Sequence, residues 1–336
     1  MGGLSRSVGE ARTGGGPAVL YRRRGEGGRA SDRAPRRAPA SVWTYEHRLG
    51  SEVRLFWHGD EYFRQHLGTE RGARPHADPV SLPGGPPLTC FAPHDHVWHT
   101  GFWFNWKWIN GVNYWENAAE RPRPDGAIRF DPPERLEAAD DRVAVTASYT
   151  YIDPLGAEVG REVRRTAWRR PGGDGGYLVD CSVRFRPGPA PVTLDRTPIT
   201  AETPWGGYGG LSWRFARGLG AVDGLDASGR RGRAIEHQRA AWATLFGSLD
   251  GGQDLRAGVA MFDHPANARH PTPWRFIAEP GFAYLNPSPL LAAPLHVGVG
   301  EELVLRYRVL VYPGAPDPAR LAAIQSEFAA SPLDPG

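Results

Sequence analysis

Three histidines fall within six residues of one another, in a segment that is also rich in tryptophan. They are His94, His96 and His99, in the sequence FAPHDHVWHT. In an extended chain His94 and His96 would share one face, which is the geometry of a two-histidine metal chelate or of a paired polar site. The metal interpretation is weak because the next acid after the pair is Glu116. We therefore predict an active or binding site with no assigned metal, and the alternative is a turn in which the histidines pack against Trp98.

Tryptophan is concentrated beside these histidines. Five of the twelve tryptophans are Trp98, Trp103, Trp106, Trp108 and Trp115. An exposed indole ring can stack on the C–H face of a sugar while its N–H reaches a hydroxyl, so we expect Trp98 and Trp103 to bind substrate. The alternative is a strand buried on both faces, which Phe102 and Phe104 would also fit. Lys107, the only lysine, is expected to be a solvated surface residue rather than a base or an anion ligand.

A second polar cluster carries histidines in the sequence MFDHPANARHPTPW. Its three prolines restrict the backbone, which reduces the entropy lost when the loop is held in one shape. We expect Asp263 to orient a histidine, with His264 and His270 as proton donors and acceptors. Asn267 and Trp274 complete this predicted site as substrate-binding residues. The alternative is that Asp263 and Asn267 only form side-chain turns.

Two further candidates lie in a glycine-rich segment, ETPWGGYGGLSWRF. Glu202 and Tyr208 could act as acid or base partners of a histidine and could contact the substrate. Paired glycines let a backbone approach a ligand closely, although a turn between strands is the simpler interpretation of them.

These segments need a scaffold, and the hydrophobic pattern predicts antiparallel strands from Val42 onward. Apolar residues alternate with polar or smaller ones over 143–151, 179–185 and 303–311. Such a period of two is typical of half-buried strands, since successive side chains point to opposite faces of a sheet.

One helix is predicted, close to the C-terminus. Asp317 can cap it, and Leu321, Ile324 and Phe328 fall on one of its faces. Many strands with turn signals at short spacing and a single terminal helix indicate an all-β fold. We predict a large antiparallel β-sandwich with one short C-terminal helix, formed by residues 42–330 as a single domain.

The charge of the chain is unevenly distributed, which removes nucleic acid from the expected partners. The formal net charge is +3, but residues 1–40 alone hold nine arginines against three acids. This Gly/Arg-rich arm has a net charge of +6 and is predicted to be disordered. The net charge of residues 41–336 is therefore −3. No segment has the ~18 consecutive apolar residues of a membrane span, and no apolar signal region follows the first arginines. With two cysteines expected as free thiols, the sequence predicts a cytoplasmic protein with no nucleic-acid or membrane partner.

Taken together, the clusters resemble a bacterial family known as the PmoA-like or "methane oxygenase PmoA" family. The resemblance rests on H-D-H-x-x-H-x-G-x-W-F from His94 to Phe104, N-G-V-N-Y-W from Asn110 to Trp115, and D-H-P-x-N-x-R-H-P-T-P-W from Asp263 to Trp274. The segments YGGLSWR and LRYRVLVY support it, and it covers residues 42–330. Asn113 stands where the family is expected to have Asp, which removes a carboxylate from the second motif.

The resemblance implies a β-sandwich similar to the galactose-mutarotase and sugar-lyase superfamily, in a bacterial setting of sugar catabolism. In such folds the site lies on a concave sheet face, where histidine and a carboxylate act as acid and base. The resemblance adds Asn110 of the second motif to the expected substrate-binding residues. Methane oxidation is not expected, because the particulate methane enzyme is an integral membrane protein and this sequence has no membrane span.

The sequence leads to three hypotheses about function. The first is an enzyme that acts on a sugar or sugar derivative by general acid–base chemistry, as an epimerase, lyase or hydrolase. The second is a metal-dependent oxygenase or hydrolase with His94, His96 and one further histidine as ligands. The third is a non-catalytic carbohydrate-binding module. We favour the first, because both histidine clusters also hold an acid and tryptophan; the expected partner is a small sugar, and no cofactor, metal or oligomeric state is assigned.

Overall fold

Antiparallel β-strands form most of the protein in the computed structural model, which describes residues 20–22, 43–68, 74–117, 123–249 and 255–332. The strands of these residues are β1 Leu20–Arg22, β2 Trp43–Arg48, β3 Glu52–Trp57, β4 Asp60–His66, β5 His76–Val80, β6 Phe102–Asn105, β7 Trp108–Ile109, β8 Val112–Asn113, β9 Ala127–Ala138, β10 Arg142–Ile152, β11 Glu158–Arg169, β12 Tyr177–Pro187, β13 Val192–Asp195, β14 Gly210–Arg214, β15 Gly220–Asp226, β16 Trp242–Ser248, β17 Arg256–Asp263, β18 Trp274–Glu279, β19 Phe282–Pro287, β20 Leu295–Val297 and β21 Leu303–Pro313. One α-helix, α1, covers Pro318–Ala329, and a short 3-10 helix covers Gly232–Ile235.

The strands form three antiparallel sheets. The largest has nine strands in the order β1-β2-β3-β4-β5-β6-β14-β19-β18, and the second has eight in the order β15-β16-β17-β21-β12-β11-β10-β9. A smaller sheet has the order β20-β13-β7-β8. Side chains from both large sheets meet in one apolar core. The predicted all-β fold of antiparallel sheets with a C-terminal helix is therefore confirmed.

The predicted period of two is visible in the strands that form the core. In β12 the side chains of Tyr177, Val179, Cys181, Val183 and Phe185 are buried, whereas the residues between them are half-buried. The other predicted runs, 143–151 and 303–311, lie within β10 and β21. Burial of one face of each strand is the main apolar contribution to the stability of such a sandwich.

Strand β6 is buried on both faces and belongs to two clusters. Phe102 and Phe104 lie in the core between the large sheets, whereas Trp103 clusters with Trp115 and Tyr284. Because alternate side chains of a strand point to opposite faces, the second cluster lies on the outer face of the nine-stranded sheet, away from the core. The alternative that the sequence left open for this segment, a strand buried on both faces, is the one observed.

Helix α1 forms as its sequence predicts. The Asp317 side chain accepts hydrogen bonds from the N–H groups of Ala319 and Arg320, at 2.9 and 3.2 Å, which caps the first turn. Leu321 and Phe328 are buried in a cluster with side chains of the eight-stranded sheet. No helix within the described ranges is long and apolar enough to cross a bilayer.

Three residues of the predicted N-terminal arm take part in the nine-stranded sheet. Leu20–Arg22 form β1, which pairs with β2 so that Leu20 lies opposite Arg48 and Arg22 opposite Glu46. The other residues of the arm, 1–19 and 23–40, lie outside the described residues.

A buried ion pair joins the two large sheets. Glu162 of β11 is fully buried, and its Oε1 lies 2.6 Å from Nη2 of Arg164. The Tyr151 hydroxyl donates to the other carboxylate oxygen at 2.8 Å. The Arg164 guanidinium crosses to the nine-stranded sheet, where it donates to the carbonyl oxygens of Phe104 at 3.1 Å and Pro75 at 3.4 Å. These partners compensate the two charges for their loss of hydration.

Removal of one charge of this pair should destabilise the fold. We expect Glu162→Gln to lower the free energy of unfolding by about 3 kcal/mol, because Arg164 is left buried without a counter-charge. The measurement is urea denaturation followed by tryptophan fluorescence.

Glu158→Gln is the matched control on the same strand, since Glu158 pairs with the exposed Arg161 at 2.8 Å. We expect its unfolding midpoint to stay at the wild-type value. Equal midpoints for the two variants would show that the buried pair does not stabilise the sandwich.

Candidate active site

The three histidines of the first cluster lie in a loop over the outer face of the nine-stranded sheet. Two successive turns form the loop, closed by hydrogen bonds from His96 N to Pro93 O and from His99 N to His96 O, each 2.9 Å long. The chain is not extended here, so the predicted shared face of His94 and His96 is wrong. The alternative of a turn packed against tryptophan is observed, with the ring centroids of His96 and Trp98 5.3 Å apart.

The loop brings together only two of the three histidines. The rings of His96 and His99 are neighbours, with centroids 4.7 Å apart. His99 is buried between Trp103 and Tyr284, whose ring centroids lie 5.1 and 5.5 Å from its own. His94 is exposed instead, and its Nδ1 accepts a hydrogen bond of 2.7 Å from the Arg217 guanidinium.

Asp95 links this histidine pair to two arginines. Its Oδ2 lies 3.3 Å from Nδ1 of His96 and 2.7 Å from Nη2 of Arg214. Its Oδ1 lies 3.5 Å from Nη1 of Arg217. Burial raises the pKa of Asp95, but the hydrogen bond and charge of Arg214 outweigh it and lower the value to about 2. Asp95 is therefore a carboxylate throughout the neutral range, and it acts on His96 by its charge, since Nδ1 of His96 has no hydrogen-bond partner among the described residues.

Both buried histidines favour the neutral form. Burial lowers the pKa of His96 below its usual value, although the carboxylates of Asp95 and Glu116 oppose the shift. Burial holds the pKa of His99 well below its usual range, and the positive charges of Arg214 and Arg74 act in the same direction. A neutral imidazole can accept a proton, and His96 is the more accessible of the two because it is only half-buried.

A second polar group borders the same aromatic residues. The Glu116 carboxylate accepts a hydrogen bond from the Tyr208 hydroxyl, and its Oε2 lies 2.5 Å from Nζ of Lys107. Burial and the negative charge of Glu116 raise the pKa of Tyr208, so that hydroxyl keeps its proton. Burial lowers the pKa of Lys107, whereas Glu116 opposes that shift.

The expectation that Lys107 is a solvated surface residue is wrong. Its side chain is 1 % exposed. The ammonium group lies over the rings of Trp108 and Tyr208, at 5.1 and 5.4 Å from their centroids. These aromatic neighbours and the Glu116 carboxylate replace water around the charge.

Aromatic rings connect the two polar groups. Trp103 and Trp115 are buried with centroids 5.4 Å apart, and Trp115 lies 5.3 Å from Tyr208. Trp98, Tyr208 and Phe282 pack on this cluster and stay partly exposed. We call these residues, with His96, His99 and Tyr284, the outer aromatic cluster. Of the three tryptophans predicted to stack on a sugar, Trp98 is accessible to a ligand, Trp103 lies beneath the surface, and Trp274 is fully buried elsewhere.

The second predicted cluster lies elsewhere, at the end of β17. Asp263 is fully buried and accepts four hydrogen bonds. The donors are Nδ2 of Asn267 at 2.7 Å, Nδ1 of His270 at 2.9 Å, and the N–H and hydroxyl of Thr272 at 2.8 and 2.7 Å. The carboxylate thus has its hydrogen-bonding capacity filled by its own loop, which is the arrangement of the predicted side-chain turn.

The neighbours of Asp263 connect this loop to other parts of the fold. The ring of His264 packs against Phe328 of α1, with centroids 5.0 Å apart. Asn267 also bonds to the backbone of Arg306, and Trp274 is fully buried in the core between the sheets. Among the described residues no hydrogen bond, ion pair or ring contact joins this loop to His96 or His99.

The remaining two predicted residues are exposed. Asn110 occupies a turn, where its side chain accepts a hydrogen bond from Thr193 N at 2.8 Å. Glu202 accepts a hydrogen bond from the Thr200 hydroxyl at 2.8 Å, in the loop that leads to Tyr208. In the part of the chain that the structure describes, no group of three histidine, cysteine or carboxylate side chains is arranged to hold a metal ion.

Sequence reasoning missed four side chains of this site. Asp95 stands between two predicted histidines and was available as the acid of the first motif. Arg214 lies in the segment YGGLSWR, where the period of two places it on the same sheet face as Ser212. Lys107 was expected at the surface and Glu116 was not assigned a role, because the two are nine positions apart in the sequence and only the fold pairs them.

Comparisons with solved structures give low similarity. A candidate aldose 1-epimerase from Klebsiella pneumoniae has 8 % sequence identity and a TM-score of 0.36. The superposition covers 93 % of this chain and 87 % of the Klebsiella protein. A TPR-domain containing protein from Parabacteroides distasonis has 9 % identity and a TM-score of 0.21, and the superposition covers 88 % of this chain and 49 % of that protein. The Diels Alderase AbmU from Streptomyces koyangensis has 12 % identity and a TM-score of 0.14, and the superposition covers 63 % of this chain and 79 % of AbmU. At these scores the likenesses support no inference about this chain.

Family comparison gives a clear assignment. No curated protein matches the sequence. A family match extends over residues 41–325, which include both histidine clusters and all of the strands from β2 to β21. The chain therefore belongs to DUF6807, a family of unknown function.

Proposed function

We propose that this protein is an enzyme that performs general acid–base chemistry on a sugar or sugar derivative at the outer aromatic cluster. One observation carries the proposal: two proton-handling groups border a single aromatic surface. The Asp95–His96 pair lies at one end of the ring contacts and the Glu116–Tyr208 pair at the other. The charge of Glu116 acts on the pKa of His96, so the two groups share one electrostatic environment.

The residues divide into three roles. His96 accepts a proton, since burial favours its neutral form, and the negative charge of Asp95, 3.3 Å from its Nδ1, stabilises the imidazolium that forms. The Glu116–Tyr208–Lys107 group holds protons and supplies the acid. Trp98, Tyr208 and Phe282 offer partly exposed ring faces for the apolar side of a sugar.

An epimerase, a lyase and a hydrolase would all use such a pair, and interconversion of anomers is the simplest reaction to assay. The base removes the proton of the anomeric hydroxyl while the acid protonates the ring oxygen, and the bond between the anomeric carbon and the ring oxygen opens. The ring then closes on the other face with the protons returned. No atom is gained or lost, so this reaction needs no co-reactant.

The other hypotheses receive less support from the geometry. His94 bonds to Arg217 rather than sharing a site with His96, which leaves the metal hypothesis without its predicted ligand pair. A binding module would need ring faces alone, whereas here the partly exposed rings lie beside a histidine whose Nδ1 is 3.3 Å from a carboxylate oxygen. The motif resemblance to the PmoA-like family adds the expectation of bacterial sugar catabolism in the cytoplasm, and these stay part of the proposal.

Loss of the base should abolish turnover. We expect His96→Ala to lower kcat/KM by about 100- to 10,000-fold, the usual contribution of a positioned acid or base. The assay follows anomer exchange and solvent deuterium incorporation by proton NMR across a panel of aldoses, ketoses and uronic acids.

The control for His96→Ala is His296→Ala, an exposed histidine that bonds to Thr193 at 3.0 Å in the four-stranded sheet. It should keep wild-type turnover. Equal rates for wild type and His96→Ala on any substrate that turns over would refute the role of His96.

Asp95 should set the pH dependence of the reaction. Because burial lowers the pKa of His96 from 6.5, the rate should rise with pH through a value below 6.5 and stay level above it. Asp95 raises that pKa, so Asp95→Asn should move the acidic limb to still lower pH as well as lowering kcat. A pH profile of kcat/KM for both proteins tests this, and an acidic limb that does not move would show that Asp95 is not the partner of His96.

Asp263 should matter for stability rather than for turnover. Asp263→Ala leaves buried donors on Asn267, His270 and Thr272 without an acceptor, so we expect a loss of about 3 kcal/mol in unfolding free energy. The kcat of the folded fraction should stay within twofold of wild type. A large loss of kcat at unchanged stability would instead support the catalytic role that the sequence predicts for the Asp263–His270 pair.

A further inference from the structure

Positive charge exceeds negative charge around His96 and His99. Arg214 is fully buried, and within the described part of the chain its one carboxylate partner is Asp95, at 2.7 Å. Arg217 shares that same carboxylate at 3.5 Å. One negative charge therefore serves two guanidinium groups, and the guanidinium of Arg214 lies 3.6 Å from the ring centroid of Phe282 rather than in water.

Part of the Arg214 guanidinium has no hydrogen-bond acceptor. Its Nη2 donates to Asp95 and, at 3.3 Å, to the carbonyl of Gly281. Its Nε and Nη1 are buried and have no partner among the described residues. Unpaired charged donors are costly to bury, so their presence beside a candidate site indicates that an oxygen acceptor completes them there.

A third guanidinium adds to the excess. Arg74 is buried and donates to the carbonyl oxygens of Trp115 and, at 2.8 Å, of Trp98, which holds the histidine loop against the sheet. No carboxylate of the described residues forms an ion pair with it. Since Lys107 and Glu116 balance each other, the ion pairs of the described residues leave the guanidinium groups of Arg74, Arg214 and Arg217 with one carboxylate, that of Asp95.

The excess charge is accessible at one edge of the cluster. The side chains of Arg217 and His96 are 41 % and 35 % exposed, and that of Asp95 is 25 % exposed. A ligand that approaches His96 therefore meets Arg217 directly and enters the field of Arg214. With aromatic side chains on the other sides, the local dielectric is low and attraction for an anion is stronger than at an open surface.

We propose that the substrate is a sugar that carries an anionic oxygen group, a carboxylate or a phosphoryl group, bound beside Arg214 and Arg217. This inference rests on the proposed function, because it places the sugar ring against Trp98 and Phe282 and its reacting hydroxyl at His96. The anionic oxygens supply the counter-charge that the cluster lacks. Guanidinium groups suit this task because their planar donors match the oxygens of carboxylate and phosphate.

Matched pairs of sugars test the inference. Calorimetric titration of the full-length protein would compare D-galactose with D-galacturonate, and D-glucose with D-glucuronate and D-glucose 6-phosphate. We expect at least one acidic member to bind tenfold or more tightly than its neutral partner, with an affinity that falls as salt increases. Comparison of the uronates with the sugar phosphate shows whether the site prefers a carboxylate or a phosphoryl group. Equal affinity for acidic and neutral members in every pair would overturn the inference.

Arginine variants locate the anion. Arg217→Gln removes an exposed side chain and should weaken binding of the preferred acidic sugar at least fivefold without changing that of its neutral partner. Arg214→Lys keeps the charge, removes the unpaired guanidinium donors and should have a larger effect. Arg186→Gln is the control, since Arg186 is an exposed arginine paired with Glu302 on another part of the surface.

The outcomes separate this inference from the proposed function. If neutral sugars turn over in a reaction that requires His96, and acidic sugars bind no more tightly than their neutral partners, the anion site is refuted and the acid–base function stands. If acidic sugars bind through Arg217 and no sugar turns over, the anion site stands and the enzyme proposal fails. If Arg217→Gln and Arg186→Gln weakened the binding of the acidic sugar equally, the attraction would be unspecific and the site would be refuted. This comparison holds even if Arg214→Lys fails to fold.

Discussion

The contact of Arg164 with strand β6 is the interaction on which both the core and the candidate site depend. Arg164 belongs to the eight-stranded sheet, yet it donates to carbonyl oxygens of Phe104 and Pro75 in the nine-stranded sheet. Glu162 and Tyr151 compensate its charge from its own sheet. A guanidinium fixed in this way sets how the sheets lie against each other, because neither sheet can slide without breaking its hydrogen bonds to the carbonyl oxygens of Phe104 and Pro75.

The residues that precede the two carbonyl acceptors of Arg164 take part in the outer face of the nine-stranded sheet. Trp103 precedes Phe104 and forms the floor of the outer aromatic cluster, while Arg74 precedes Pro75 and anchors the histidine loop. Strand alternation turns Trp103 away from the core that Phe104 enters. The candidate site is therefore a loop held on a rigid sheet, which is the arrangement in which a histidine can be both accessible and precisely oriented.

The hydrogen bonding of the central carboxylate distinguishes the two histidine clusters. Asp263 accepts four bonds from its own loop, which fills the acceptor capacity of that carboxylate, although Nε2 of the neighbouring His264 is buried without a partner among the described residues. At the outer aromatic cluster, Nδ1 of His96 and of His99 and the indole N–H groups of Trp103 and Trp115 are buried without a partner among the described residues, as are Nε and Nη1 of the neighbouring Arg214. A saturated carboxylate stabilises a fold, whereas donors left open beside accessible rings are what a polar ligand requires.

The sequence by itself determined the strands and the helix, and it predicted the segment in which we propose the site. Alternation in β12 and the cap at Asp317 are local properties, carried by residues close together in the chain, and both were predicted correctly. The concentration of histidine and tryptophan near residue 94 also pointed to the segment that the structure places on the outer face. Only the tertiary structure decided which candidates share a site. It paired His96 with Asp95 and Arg214, joined Lys107 to Glu116, and left His94 and the Asp263 loop apart. These partnerships depend on strand order and on how a loop turns, and such long-range contacts leave no period or spacing in a single sequence.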